Sequence, residues 1–334
     1  GNEGPIRELI AETWRPLVDE LSVSPLGSLH GLCKGQGAEP RPSILLATHM
    51  DAIGLIVTGV VDGFLRVSQV GGVDPRILPG QPVLVYGKEL LPGVVVQPPA
   101  RLLPPALGDA PVPMDHLWVD VGLLPDQVAR LVRVGALVSF GQEPIEMGEN
   151  VLAGHSLDNR ASVAALTVCL DELQTRRHAW DVWAAATVQE EETLGGAATS
   201  AFQLHPDLAI AIDVTFAKGP GASEYNTFPL GKGLTIGWGP NIHPWLYKLA
   251  KDTAERLEIP YEMEVMPRHS GTDAFALQVT AEGIPSLVLS VPLRYMHTPV
   301  EIISLKDVQR TGRLMAEMIA CLEPDSLQKI TWDD

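Results

Sequence analysis

The sequence predicts an α/β fold: a mostly parallel sheet flanked by helices on both faces, with a small β-barrel domain inserted into it. Three observations carry the prediction. Short, continuously apolar runs such as Ser43 to Thr48 (SILLAT) have the texture of strands covered on both sides. After Gly154, such runs alternate with segments of helical spacing, the rhythm of strand–helix–strand units. From about Thr58 to Gly141 the rhythm gives way to short β-type segments punctuated by Gly and Pro, as in a small barrel or sandwich. The boundaries expected are residues 1–57 and 142–334 for the α/β domain and 58–141 for the insert.

Each element follows in order. Ile6, Leu9, Ile10, Leu17 and Leu21 recur at helical spacing, so Pro5 to Leu21 is expected to open the chain as an amphipathic helix despite Pro16. The Ser43 to Thr48 strand runs into His49-Met50-Asp51. In the insert, Phe64, Val67 and Val70, then Val83 and Val85, then Val94 and Val96, read as alternating strands, with turns at Gly71-Gly72, Pro79-Gly80 and Pro92-Gly93. The proline-rich stretch Pro98 to Pro113 can form neither helix nor central strand and is expected to be a long exposed loop. Beyond Gly154 come a helix at Ala161–Leu173, a strand at Trp180–Val188, a short helix at Ala197–Gln203 and a strand at Leu208–Asp213. A helix at Pro244–Leu257, a strand at Ser286–Val291 and a last helix at Ser304–Leu322 complete the set, with Asp307 placed to close a capping-box-like start.

Composition excludes several classes. With 334 residues, 46% hydrophobic and 19% charged, the chain can bury a core and is not a disordered tail. A formal net charge of −17 repels phosphate backbones and anionic lipid, so neither nucleic acid nor membrane is an expected partner. No apolar run approaches the roughly 18 residues of a membrane span. Cys33, Cys169 and Cys321 lie far apart, which suits neither a disulfide framework nor a zinc ribbon and points to a reducing, cytoplasmic setting. Gly1 in place of an initiator Met fits a trimmed start. The serine-hydrolase elbow, the phosphate loop and the C-x-x-C pair are missing, and the G-x-G at Gly231 and Gly233 lacks a correctly spaced third glycine.

What the sequence does hold is a set of metal-type side chains near predicted strand ends. His49 follows the first apolar strand, and Asp51, two residues on, would share its face and could accept the second ring N–H of that histidine. Asp158 precedes a helix, Glu190, Glu191 and Glu192 follow the Trp180 strand, Asp213 ends the Leu208 strand, and His297 follows the Ser286 strand. Singly, each has an ordinary explanation: a loop histidine, a helix cap, a solvated charge run, a turn. Together at the carboxyl ends of sheet strands they would converge where α/β folds bind ligands, and buried together they would need a cation. Two histidines and three carboxylates, one of them shared, suit a pair of Zn, Co or Mn ions about 3.5–4 Å apart, with a further acid to take a proton from water.

Six segments carry a family resemblance: THMDAIG (Thr48 to Gly54), GHSLDNR (Gly154 to Arg160), TVQEEETLGG (Thr187 to Gly196), AIDVT (Ala211 to Thr215), SGTDA (Ser270 to Ala274) and RYMHTP (Arg294 to Pro299). In this order the chain resembles the tetrahedral (TET-type) dodecameric dinuclear metallo-aminopeptidases, a zinc-peptidase-like fold. The resemblance implies removal of N-terminal residues from short peptides. It implies two divalent metal ions per subunit, Zn or Co ahead of Mn, that activate a bridging water. One ion would be held by His49 and Asp213, the other by Glu191 and His297, with Asp158 bridging; Glu190 would be the general base and Asp51 the support of His49. Glu192 is an extra acid where the family shows two, and Asn159 stands where many relatives have a second aspartate. The insert corresponds to the family's dimerisation domain, and the assembly implied is a homo-oligomer, a tetrahedral dodecamer built from dimers. The competing readings are another amide hydrolase on the same core (a deacylase or carboxypeptidase, with Arg160, Arg268 or Arg294 for a substrate carboxylate), a non-catalytic metal-binding scaffold, and a glycosidase with paired carboxylates.

Overall fold

In the computed structural model, which describes residues 2–108 and 110–330, four parallel strands form the middle of the main sheet. They run in the order Asp181–Thr187, Ser43–His49, Leu208–Phe216, Ser286–Arg294. Antiparallel strands extend this centre on both sides, so the sheet is mixed. Leu29–Cys33 and Glu20–Val23 follow Asp181–Thr187 at one edge. Beyond Ser286–Arg294 come Glu301–Ser304, Val151–Gly154 and Ile145–Met147, while Leu234–Trp238 pairs it elsewhere along its length and carries Tyr261–Val265. All residues from Leu208 to Thr215 are buried, as expected of a strand covered on both faces. Helices Leu157–Leu173 and Leu305–Ala320 pack against each other and the sheet, and Gly195–Leu204 pairs with Asp273–Gln278 against the same central strands. The first two helices meet closely enough that a Cβ on Gly312 would lie 2.4 Å from the Ala165 carbonyl oxygen. No helix among the described residues is long and apolar enough to cross a membrane.

The insert is a closed antiparallel barrel of six strands: Gly54–Val61, Phe64–Val70, Pro82–Tyr86, Leu90–Val96, Trp118–Asp120 and Leu137–Phe140. Its first strand begins at Gly54, a few residues before the Thr58 boundary read from texture. Its core is separate from that of the main sheet. Of the residues read as alternating, Val67, Val83 and Val85 are buried, while Phe64 and Val94 are exposed and their neighbours Leu65 and Val95 fill the interior. A one-residue offset moves a strand's side chains to the other face, and in a run such as Val94-Val95-Val96 both faces are apolar, so the pattern alone cannot choose. Pro98 to Pro113 holds neither helix nor strand among its described residues, only short 3-10 turns at Ala100–Leu102 and Pro105–Leu107, with Leu102 exposed.

Several boundaries moved, the strand from Ser286 reaching Arg294 and the helix before Leu173 starting at Leu157 among them. The opening helix stops at Trp14, a 3-10 turn follows at Arg15–Leu17, and Leu21 belongs to a strand. Pro16 has no N–H to donate and disfavours helical backbone in the residue before it. The Leu208 strand continues to Phe216, so Asp213 lies within it rather than at its end. The last helix starts at Leu305 without a side-chain cap from Ser304. Asp307 does not close a capping box; its carboxylate accepts the backbone N–H groups of Gly231 and Gly233 at 2.6 and 2.8 Å.

Candidate active site

Strand register builds one wall of the site. Ala47 pairs with Ala211 in parallel, so His49 and Asp213, each two residues on, stand level on the same face of adjacent strands. Thr187 pairs with His49, so the chain leaving that strand turns over the same strand ends, with Gln189 in the left-handed region, and delivers Glu190 and Glu191. Asp158 enters from the first turn of the Leu157–Leu173 helix, where its backbone is non-helical. His297 enters from the loop after Ser286–Arg294.

These side chains meet. Asp158 stands between the two histidines, with Oδ1 3.2 Å from His49 Nε2 and Oδ2 3.3 Å from His297 Nε2. On the His49 side, Asp213 Oδ1 and Glu190 Oε2 lie 3.8 and 3.7 Å from the same ring nitrogen. On the other side, Glu191 Oε2 is 3.4 Å from His297 Nε2. His49, Asp158 and Asp213 are buried, and the His297 side chain keeps 34% of its surface open.

Asp51 acts in two ways, one of them unexpected. His49 Nδ1 lies 3.2 Å from the Asp51 carbonyl oxygen and 3.7 Å from its carboxylate, so the main chain makes the closer contact where the side chain was expected. The Asp51 carboxylate instead accepts the backbone N–H groups of Glu190 and Glu191 at 3.1 and 3.2 Å, which fixes the start of the glutamate turn. Glu192 stays outside the cluster and accepts the Gly71 N–H at 2.7 Å. Asn159 donates to the Ile212 carbonyl at 2.9 Å, a role a carboxylate could not fill.

Crowding of acids sets the electrostatics. Burial pushes Glu190 up to about 9, opposed by His49 and reinforced by Asp213, Asp273 and Glu191. Burial and then Asp158 push Glu191 up to about 7. Burial also pushes against ionisation of Asp158, yet hydrogen bonds from His297 and His49 hold it below the usual carboxylate range. His297 rises to about 9, first through its hydrogen bond to Asp158.

Two residues of this neighbourhood were not among the expected site residues. Glu301, buried at 1% exposure, accepts the Asp158 N–H at 3.1 Å and the His297 N–H at 3.0 Å, and so anchors the backbone of both. Burial, then Asp158, push its pKa up to about 8. The usable cue was an acid opening the apolar strand Glu301–Ser304. Asp273 is buried against Thr187 Oγ1 at 2.6 Å, within the SGTDA segment.

The donor set fits cations. Ligand atoms of His49, Glu190 and Asp213, and of His49, Asp158 and Glu191, each fall within 4.8 Å of one another. Glu191 Oε1 is buried without a hydrogen-bond partner. Among the described residues no Lys or Arg forms a salt bridge with Asp158, Glu190, Glu191 or Asp213. Imidazole and carboxylate donors in this number suit borderline divalent ions such as Zn, Co or Mn.

Known proteins share the fold. A lysyl aminopeptidase of Pyrococcus furiosus is 35% identical over 324 residues, covering 96% of this chain and 92% of its own. The structure of an aminopeptidase from Desulfurococcus kamchatkensis superposes with a TM-score of 0.89 at 34% identity, covering 99% of this chain and 93% of the other. A Pyrococcus horikoshii TET1 peptidase, described as assembling into a tetrahedron or a large octahedral shell, is similar at 29% identity and a TM-score of 0.81, with 96% and 94% covered. Residues 27–314 match the M42 glutamyl aminopeptidase family, and on that match the chain belongs to this family and is a hydrolase, an aminopeptidase.

Proposed function

We propose that the protein is a metal-dependent aminopeptidase that removes N-terminal residues from short peptides, with two divalent ions, Zn or Co ahead of Mn, in each subunit. The observation that carries this reading is the placement of Asp158, one oxygen toward each histidine, with a further carboxylate beside each ring. His49 and Asp213 would hold one ion, Glu191 and His297 the other, and Asp158 both. Bound there, the ions supply Lewis-acid chemistry, polarising a carbonyl and making water more acidic.

The chain's own residues do the rest. Glu190, 3.7 Å from His49 Nε2 and, among the described residues, without a hydrogen bond from a lysine or arginine, is placed to take the proton of the attacking water and return it to the leaving nitrogen. Asp51 keeps that carboxylate in register through the Glu190 and Glu191 amides. Glu190→Gln keeps the shape and removes the base, so turnover falls roughly 10²-fold or more while metal content stays. Near-normal turnover would take Glu190 out of the mechanism. A free-amine peptide hydrolysed in preference to its N-acetylated form separates this reading from a deacylase.

The proposal extends to assembly. The barrel leaves Phe64, Tyr86, Leu90 and Val94 exposed, apolar surface suited to a dimer contact, and similarity to a shell-forming peptidase supports a homo-oligomer, a tetrahedral dodecamer built from dimers. Three free cysteines, two of them buried, suit a reducing cytoplasmic compartment.

A further inference from the structure

The two halves of the site differ in origin. The His49–Asp213 half is built within the main sheet, on adjacent strands. The Glu191–His297 half is walled by the barrel, whose Gly71-Gly72 turn lies directly against both residues. A Cβ on Gly72 would sit 2.5 Å from His297 Nδ1 and 3.0 Å from Cε1. A Cβ on Gly71 would sit 2.6 Å from Ile53 Cγ2 and 3.2 Å from Glu191 Oε2, and Gly71 takes a φ of +73° that other residues seldom adopt. Only glycine at Gly72 allows the barrel backbone this close to the imidazole, and only glycine at Gly71 this close to Ile53 and Glu191.

Something must hold the turn there, and the third glutamate does. In the short Glu190–Thr193 helix, successive side chains diverge by about 100°. Glu191 therefore faces His297 while Glu192 faces the barrel, where its carboxylate accepts the Gly71 N–H at 2.7 Å. An exposed triple acid run would ordinarily be solvated charge. Here its last member links the barrel to the turn that carries the two preceding glutamates.

We propose that Glu192 and the Gly71-Gly72 turn are a positioning device for one half of the site: Glu192 draws the turn onto the cluster, and the turn holds the His297 ring against Glu191. The barrel is thereby part of that half's construction as well as a neighbour. The inference rests on the metal reading above and deepens it.

The test is calorimetric titration of Zn²⁺ into chelator-stripped full-length protein. Wild type gives two binding events. Glu192→Leu weakens one of them about 10-fold, and Gly72→Ala weakens the same one roughly 10- to 100-fold, while the other stays within about twofold. Glu192→Gln keeps an acceptor oxygen for the Gly71 N–H and restores binding to within about threefold of wild type. Two wild-type events that persist unchanged in Glu192→Leu and Gly72→Ala overturn the positioning role alone, as does a Glu192→Leu variant that loses thermal stability with both affinities intact. A wild type that binds no Zn²⁺ overturns the metal reading itself, and this inference with it. Should Gly72→Ala fail to fold, the Leu and Gln variants at Glu192 decide.

Discussion

Asp307 offers a sharp test because two roles for it predict different energies. As part of a helix cap it would be worth about 1 kcal/mol. The structure shows it as an anchor instead. At 0% exposure, its carboxylate accepts the N–H groups of Gly231 and Gly233 and a guanidinium hydrogen bond from Arg310 at 3.1 Å. Those glycines lead into the Leu234–Trp238 strand, so Asp307 ties the entry of that strand to the last helix. Asp307→Ala leaves the buried Gly233 N–H and the half-buried Gly231 N–H without partners, at about 1–3 kcal/mol for the first and toward the lower end for the second. Burial raises the Asp307 pKa, so part of that cost is offset by relief of a desolvated acid, and a net loss of about 2–4 kcal/mol is expected. At about 2.1 cal/mol/K of unfolding entropy per residue, 334 residues give roughly 0.7 kcal/mol/K, so the melting temperature falls by about 3–6 °C. Asp307→Asn keeps one acceptor and falls between. Calorimetric scanning at fixed protein concentration reads this directly. A drop of about 1 °C or less for Asp307→Ala, the size of a lost cap, would refute the anchoring role.

Other consequences are as direct. Burial lowers the His30 pKa from 6.5 to about 4, and the ring is hydrogen-bonded to Ser200 Oγ at 2.8 Å. The unfolded chain therefore binds the extra proton first, and as pH falls from 6.5 to 4 metal-loaded wild type loses about 3 kcal/mol relative to His30→Gln, read as the difference between their urea midpoints. In the chelated protein the contribution of Glu191, read as the difference from Glu191→Gln, has the opposite slope. Glu191, raised from 4.5 to about 7, binds its proton more tightly folded than unfolded, so stability falls as pH rises from 4.5 to 7, again by about 3 kcal/mol, and added Zn²⁺ abolishes the trend. A pH-independent difference between chelated wild type and Glu191→Gln would contradict the crowding of acids. Gly312→Val drives side-chain atoms into the Ala165 carbonyl and Val168, and is expected to cost about 3 kcal/mol in urea unfolding, more than any gain from replacing a helical glycine.

Much of this was legible in sequence, for physical reasons. Strands such as Ser43–His49 and Leu208–Phe216 are buried on both sides, and burial on both sides writes a continuous apolar run. The acids and histidines were legible because ionisable groups beside such runs are costly without partners. What stayed hidden was decided at longer range. Leu29–Cys33 contains His30 and Gly31, and its identity as a strand comes from pairing with Asp181–Thr187 rather than from its own pattern. The barrel register is invisible where both faces are apolar, as at Val94-Val95-Val96. That Asp51 would meet His49 through its carbonyl and the glutamate turn through its carboxylate depends on a loop geometry that residue spacing does not specify. Glu301 and Glu192 were hidden for the same reason, since their partners are backbone amides, which every residue offers.

The barrel's first and last strands are hydrogen-bonded to each other, Leu55 opposite Val138 and Ile56 opposite Leu137. The long detour between them therefore departs from and returns to almost the same point, and closure entropy grows only slowly with the length of such a detour. The α/β scaffold can thus tolerate a large cassette at this position at little conformational cost. Size and surface of that cassette are free to drift with whatever assembly they serve, whereas the two glycines that lie against Glu191 and the His297 imidazole are not.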